Sequence, residues 1–258
     1  MNNTKAAFAQ GKAFIPFITA GDPDLATTEK LVCAMAEAGA DLIELGLPFS
    51  DPVAEGPVIQ QADERALAAG ATTDLVFESI ARIRKTCQVP LAIMTYVNPV
   101  FVYGAEKFME RCSQTGVCAV IVPDLPYEEQ GELRPACQKY SIDLITLISP
   151  TSKERIRSIA KDAQGFLYCV SSLGVTGVRS QITTNIGEMI ARVREVSDIP
   201  CAVGFGISTP EQAAEMARLA DGVIVGSAIV RLVEQYGRAS VLPAAEYVKK
   251  MKAAVLGC

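Results

Sequence analysis

The chain has 258 residues, of which 50% are apolar, so it can bury the core of one large α/β domain or of two small ones. Its formal net charge is -5, and it has no basic block of the kind that tracks a phosphodiester backbone, which argues against a nucleic-acid partner. No apolar run is long enough to cross a bilayer, so we expect a cytoplasmic protein with no membrane segment.

Histidine is absent from the sequence, and this absence narrows the possible chemistry. It excludes Ser-His-Asp and Cys-His nucleophile pairs and any metal site built on histidine. We predict neither a metal nor a cofactor. Proton transfer then falls to carboxylates, Tyr, Lys, Cys or water. The eight cysteines show no C-x-x-C spacing, and several lie inside apolar runs, which indicates reduced core residues.

Short apolar runs recur along the whole chain and predict its strands. They are continuous rather than alternating, which is typical of parallel strands covered by helices on one side and by a barrel core on the other. In chain order the runs are 13–19, 42–46, 90–96, 118–124, 143–149, 166–172, 200–206 and 222–227.

Segments with helical periodicity separate these runs. Residues 26–39 carry one apolar stripe and end at Gly39, which suits a helix C-cap, and residues 182–197 repeat the stripe. Thr209 and Pro210 have the character of an N-cap and a first turn.

Eight strands alternating with eight helices predict an α/β fold of the (β/α)8 TIM-barrel type, with a doubly wound open sheet as the alternative. Two additional helices are expected, one at 58–69 after the second strand and one at 242–254. No linker or low-complexity stretch divides the chain, so we expect a single domain over 1–258.

Glu44 is the first candidate for catalysis, because the active site of such a barrel lies at the C-terminal ends of its strands. It stands between Ile43 and Leu45 within a strand, where burial should raise its pKa towards a value useful for proton transfer. Glu55 follows on a loop over the barrel mouth, so two carboxylates could flank a substrate. The alternatives are a Glu44 paired with a buried cation and a Glu55 that is simply solvated.

The last two strands lead into helices through glycine-containing turns, GFGIS at 204–208 and GSA at 226–228. Glycines let backbone N–H groups approach an anion, and barrel enzymes often bind phosphate after strands seven and eight. The predicted phosphate site therefore comprises Gly204, Gly206, Gly226 and Ser227. A single G-x-G is commonly only a turn, and it is the pair of sites that favours phosphate.

The mechanism is restricted further by a second absence. None of the eight predicted strands contains a lysine in its core, so a Schiff-base aldolase lacks its nucleophile. Carbon–carbon cleavage should then proceed by acid–base catalysis on a substrate whose own ring accepts electrons. The loop at 173–181 is either a lid that excludes water or an ordinary surface loop.

Seven segments together resemble the tryptophan synthase α subunit family, in order and from about residue 7 to 255. The stretch with ELG, PFSDP and EGP is the most specific, whereas GFGIS and GSAIV occur more widely in phosphate-binding barrels. The segments are PFITAGDPD (16–24), ADLIELGLPFSDPVAEGPVIQQA (40–62), MTYVNP (94–99), VIVPDLP (120–126), SSLGVTG (171–177), GFGIS (204–208) and GSAIV (226–230).

The resemblance implies a barrel that cleaves indole-3-glycerol phosphate to indole and glyceraldehyde 3-phosphate. Glu44 matches the carboxylate that protonates indole C3 and then deprotonates the C3′ hydroxyl. Glu55 matches a loop carboxylate, commonly Asp, that stabilises the indole N1–H, and the extra methylene of Glu changes its geometry. Tyr168 matches an active-site tyrosine near the first carboxylate.

The resemblance also implies binding residues, grouped here by role. The residues matching the indole pocket and its cover are Phe17, Tyr96, Thr176 and Phe205, although core packing is an equal reading for Phe17 and Phe205. The residues matching phosphate contacts are Gly177, Gly206, Gly226 and Ser227. Asp51 and Thr176 match a pair that joins two loops on closure.

A partner β subunit in an α2β2 assembly is implied as well, with Asn98 and the following loop facing it. Another phosphate-binding barrel, such as a pentose-phosphate epimerase or an indole-glycerol phosphate synthase, is the first alternative. Those enzymes usually need metal-binding histidines or strand lysines, which are missing here. A chain that mainly activates the β subunit, with weak lyase activity of its own, is the second alternative.

Overall fold

The computed structural model describes residues 4–149, 153–170, 186–204 and 206–257. Eight parallel strands pair in chain order, and the last pairs with the first, so the sheet closes into a barrel. The strands are β1 (Ala13–Thr19), β2 (Ile43–Gly46), β3 (Leu91–Met94), β4 (Ala119–Ile121), β5 (Asp143–Ile148), β6 (Leu167–Val170), β7 (Cys201–Gly204) and β8 (Gly222–Val225).

Helices lie outside the sheet and at its ends. They are α1 (Thr4–Phe8), α2 (Leu25–Glu37), α3 (Pro57–Ala68), α4 (Thr73–Ile83), α5 (Val97–Tyr103), α6 (Ala105–Thr115), α7 (Arg134–Lys139), α8 (Lys153–Asp162), α9 (Ile186–Arg194), α10 (Pro210–Leu219), α11 (Ser227–Tyr236) and α12 (Val241–Leu256). Short 3-10 helices cover Tyr127–Glu132 and Gly237–Ala239. In the described ranges, no helix has both the length and the apolar character needed to cross a membrane.

The closed sheet confirms the predicted (β/α)8 barrel, and α3 and α12 confirm the two additional helices. The sequence did not predict α1 or α5. The segment after Asn98 was expected to be a loop, and this was wrong, because it forms α5. Pro99 is compatible with that helix because it stands in the first turn, where a backbone N–H has no partner within the helix.

The strands bury both of their faces, in two separate apolar layers. Ile43 and Leu45 point outward and join the large cluster between sheet and helices. Residues such as Ile15, Ala92 and Ile224 point inward and fill the barrel. Because side chains alternate along a strand, Glu44 between Ile43 and Leu45 must point into the barrel.

The N-terminal mouth of the barrel is closed by α1. The ring of Phe8 lies 5.6 Å from that of Phe166, centroid to centroid, and the Thr4 hydroxyl donates to the Asp143 carboxylate. The other mouth, where the strands end, has no such plug in the described residues and contains the candidate site.

Candidate active site

A cavity opens at the C-terminal ends of the strands, below α3 and beside the start of α11. Its walls are mostly apolar, with two carboxylates and one phenol among them. The lining residues are Phe17, Glu44, Ala54, Glu55, Ile59, Met94, Pro123, Leu147, Tyr168, Gly206, Ile207, Ile224, Gly226 and Ser227.

Glu44 is the most unusual group in this cavity. It is fully buried on β2, and neither of its carboxyl oxygens has a hydrogen-bond partner among the described residues. Burial raises the pKa of Glu44 to about 8, since water that would solvate the carboxylate is excluded. At neutral pH the group is therefore a protonated acid with two oxygens available to a ligand.

Tyr168 stands next to Glu44 on the inner face of the barrel. Burial, and then the nearby Glu44 carboxyl, raise the pKa of the Tyr168 phenol, so it stays protonated. A Cβ built on Gly204 would come within 2.6 Å of the Tyr168 ring and hydroxyl. Gly204 therefore gives the tyrosine the room it needs, and its predicted contact with phosphate stays a prediction.

Phe17 forms a wall of the cavity beside Glu44, because the two residues are partners in the ladder of β1 and β2. The ring bends over Gly46, where an added Cβ would lie 2.6 Å from the Phe17 Cζ. Phe17 also packs with Val58 and Ile59 of α3. Phe17 is thus both a lining residue and a core residue, which combines the two interpretations that the sequence left open for it.

Glu55 reaches the cavity from the loop between β2 and α3. The loop is held by the Ala54 N–H, which donates to the Tyr96 hydroxyl over 3.1 Å, and by the Gln60 amide, which donates to the Glu55 carbonyl over 2.9 Å. Only 6% of Glu55 is exposed, and its Oε2 atom has no hydrogen-bond partner among the described residues. Burial raises the pKa of Glu55, while hydrogen bonds from Asp63 and Tyr96 lower it.

Tyr96 supports the loop that carries Glu55. It is not among the residues that line the cavity, and its hydroxyl instead holds Ala54 and Glu55 from behind. Its ring lies 5.5 Å from that of Phe49. A direct contact between Tyr96 and a substrate ring stays a prediction.

Asp63, a residue that the sequence analysis did not select, lies behind Glu55 on α3. It is 3% exposed, and its carboxyl group lies close enough to that of Glu55 for the Glu55 charge to raise the pKa of Asp63. The available signal was its place on the buried stripe of α3, between Ile59 and Ala66, where an acidic side chain is unexpected. The apolar lining residues Met94, Leu147 and Ile224 were missed as well, because a strand-end apolar residue has the same sequence signature in a cleft as in a core.

Beside β7 and β8, the described residues line the cavity with backbone rather than with charged side chains. Gly206 has φ +77° and is followed by Ile207, while Gly226 and Ser227 begin α11. The N-cap of α11 is Gly226, which makes no side-chain capping bond. The first amides of this helix are therefore available to an anion, which fits the predicted phosphate site.

The other predicted residues divide into two groups. Thr176, Gly177 and Phe205, with the whole predicted lid at 173–181, lie outside the described residues. Asp51 is exposed and accepts a hydrogen bond of 2.5 Å from the Ser50 hydroxyl. Asn98 is exposed at the start of α5.

The sequence of this chain is similar throughout to one family. The family model described as "Tryptophan synthase alpha chain" matches residues 3–256. The tryptophan synthase alpha chain of Lacticaseibacillus casei is 48% identical over 255 residues, covering 99% of this chain and 96% of the relative. That of Citrifermentans bemidjiense is 52% identical over 232 residues, covering 90% and 87%.

Solved structures agree with this likeness. The tryptophan synthase alpha chain of Legionella pneumophila superposes with a TM-score of 0.89 at 36% identity, covering 100% of this chain and 98% of that one. A chain of the tryptophan synthase a2b2 complex of Pyrococcus furiosus, described in terms of mutual activation, superposes with a TM-score of 0.86 at 32% identity. That match covers 94% of this chain and 99% of the other.

Proposed function

The chain belongs to the tryptophan synthase alpha chain family, and from this premise we propose that Glu44 and Glu55 are the two catalytic carboxyl groups of its reaction. That reaction is the retro-aldol cleavage of indole-3-glycerol phosphate to indole and glyceraldehyde 3-phosphate, a step of tryptophan biosynthesis. The residue roles that follow are supported by the geometry of the cavity.

Glu44 is the acid and then the base. Its protonated carboxyl gives a proton to C3 of the indole ring, and the ring becomes a cationic indolenine. The resulting carboxylate takes the proton from the C3′ hydroxyl, the bond between C3 and C3′ breaks, and its electron pair neutralises the ring. Indole and an aldehyde are formed and Glu44 is again protonated, as its raised pKa favours.

Glu55 stabilises the positive charge that develops at the ring nitrogen. Its buried Oε2 has no partner among the described residues and can accept the N1–H of the substrate. A carboxylate held in place in an apolar cavity stabilises such a charge more strongly than it would in water. Tyr168 contacts the substrate beside Glu44, and the apolar side chains of Phe17, Leu147 and Ile224 enclose the ring.

The phosphate is bound at the opposite end, by Gly206, Gly226 and Ser227, with Gly177 and Gly204 as further candidate contacts. The uncapped start of α11 supports this placement, because free amides and a helix dipole both favour an anion. Phe205 and Thr176 cover the ring, and closure pairs Thr176 with Asp51. No cofactor or metal is required by this sequence of proton transfers.

The observation that carries the proposal is a fully buried carboxyl group in an apolar cavity, whose two oxygens have no hydrogen-bond partner within the part of the chain that the structure describes. It is tested by indole release from indole-3-glycerol phosphate in Glu44→Gln and Glu55→Gln, with Glu64→Gln on the exposed side of α3 as a control. We expect losses of about 10²- to 10⁴-fold for Glu44→Gln and a smaller loss for Glu55→Gln. Full activity in Glu44→Gln would remove that residue from its role.

We further propose that the chain is one barrel domain over 1–258, acts in the cytoplasm and assembles with a tryptophan synthase β subunit in an α2β2 complex. Two large apolar side chains near Asn98 support the contact, since Phe101 is 51% exposed and Val102 is 80% exposed. The assembly is tested by mixing the chain with a β subunit and measuring the mass of the complex and the release of indole. A chain that cleaves substrate only in the mixture would favour the reading of a weak lyase that mainly activates its partner.

A further inference from the structure

Behind the catalytic Glu55 lies a second acidic residue, Asp63, and both side chains are buried. Asp63 is on α3, one turn beyond Ile59, and is 3% exposed. Two carboxylates in contact in a buried site repel one another strongly, and each loses its hydration. The pair is stable only if it holds one proton, which then forms the hydrogen bond between them.

The surroundings decide which partner keeps that proton. Burial, and then the charge of Glu55, raise the pKa of Asp63 to about 9, although the backbone N–H of Phe49 and the Thr19 hydroxyl act in the opposite direction. Glu55 receives hydrogen bonds from Asp63 and from Tyr96, both of which favour its ionised form. With one shared proton, one carboxyl group is the donor and the other the acceptor, and these shifts favour Asp63 as the donor.

We propose that Asp63 is a positioning residue, which donates a hydrogen bond to the Glu55 carboxylate and so directs the free Glu55 oxygen at the ring nitrogen of the substrate. This inference rests on the proposed role of Glu55. Glu55 has three rotatable bonds before its carboxyl group and lies on a loop, so the loop alone does not fix it. Asp63 does, because it is on a helix whose Val58, Ile59 and Ala62 pack against Phe17.

Two substitutions separate the hydrogen bond from the volume of the side chain. Asp63→Asn imitates the neutral acid, since its amide can donate to Glu55 while its carbonyl accepts from the Phe49 N–H. Asp63→Leu has the same number and branching of side-chain heavy atoms and no donor. We expect Asp63→Leu to lower kcat about 10- to 100-fold with little change in KM, and Asp63→Asn to stay within about threefold of wild type. Glu64→Gln, the exposed neighbour on α3, should leave both constants unchanged.

The decisive comparison repeats Asp63→Leu in a Glu55→Gln background. If Asp63 acts through Glu55, the substitution costs little there, because the carboxylate it positions is already gone. An equal loss in both backgrounds, or full activity of Asp63→Leu alone, overturns the proposal. Thermal unfolding of each variant shows whether the protein is folded. If Asp63→Leu does not fold, Asp63→Asn still tests the hydrogen bond. Full activity of the Glu55→Gln single variant would contradict the role of Glu55 itself, which is a different outcome.

Discussion

Phe17 and Glu44 are directly paired in the parallel ladder of β1 and β2. Paired residues of neighbouring parallel strands point to the same face, so the ring and the carboxyl enter the cavity side by side. The acid and the apolar wall beside it are thus placed by strand register, which is among the least deformable features of a barrel. This placement excludes water from Glu44, and the loss of hydration raises its pKa.

The first prediction concerns the pH dependence of activity. Glu44 must be protonated to act first as an acid, and its pKa is raised to about 8. We therefore expect kcat/KM to be level near neutral pH and to fall up to tenfold per unit above pH 8. Indole release measured from pH 6 to 10, with circular dichroism to show that the fold is intact, checks this. A flat profile to pH 10 would contradict a protonated Glu44.

The second prediction concerns the pH dependence of stability. Between the ordinary Glu pKa of 4.5 and about 8, the folded chain keeps a proton on Glu44 that the unfolded chain releases. The free energy of unfolding therefore falls by up to about 1.4 kcal/mol per pH unit in this window, and levels off above it. Glu44→Gln cannot lose stability in this way. The difference between its free energy of unfolding and that of wild type should therefore shift in favour of the variant from pH 5 to pH 8. Urea unfolding of both proteins at pH 5 and pH 8 measures this difference in free energy. The same difference at both pH values would count against the burial of an ionisable Glu44.

The third prediction concerns the close approach of Phe17 to Gly46. In Gly46→Ala the new methyl group would lie 2.6 Å from the ring, so Phe17 must move. We expect a loss of about 1–3 kcal/mol in the free energy of unfolding and a raised KM for the substrate. Gly131→Ala is the matched control, because a Cβ there meets nothing within 4 Å. Adding Phe17→Leu to Gly46→Ala should recover part of the stability, and a double variant no better than the single one would show that the ring is not the cause.

The fourth prediction concerns the start of α10, just after Ile207. The Thr209 hydroxyl accepts the Gln212 N–H, and the Gln212 side chain accepts the Thr209 N–H in return. Thr209→Ala should lower the free energy of unfolding by about 1 kcal/mol, whereas Thr209→Ser should keep most of it. Urea unfolding compares the two. Equal losses in both would mean that the hydroxyl is not what stabilises this helix.

Much of the fold could be predicted because its signals are local. Each apolar run overlaps a strand, and Thr209 begins a helix as its side chain indicates. The exceptions have physical reasons. Residues 97–103 contain Asn98-Pro99 and are followed by Gly104, which favour a loop, yet packing of Val100 in the core makes the segment helical. The sequence likewise placed Glu44 at the strand end, since position in a strand is a local property.

The surroundings of Glu55 could not be read in the same way. That Tyr96 lies behind the loop, and that Asp63 meets Glu55, depend on how α3 sits across the barrel mouth, which is a contact between distant elements. Gly204 shows the same limit. Its motif favours an anion, whereas its neighbour in space is the Tyr168 ring.

The loop and helix α3 inserted between β2 and α4 have a consequence for redesign. Glu55, Ile59 and Asp63 all lie on this insertion, while Glu44 and Tyr168 belong to the barrel wall. Selectivity for the heterocycle and delivery of the proton therefore reside in separate stretches of chain. Exchanging only this insertion would change the contacts to the bicyclic ring of the substrate and leave Glu44, which transfers the proton, in place.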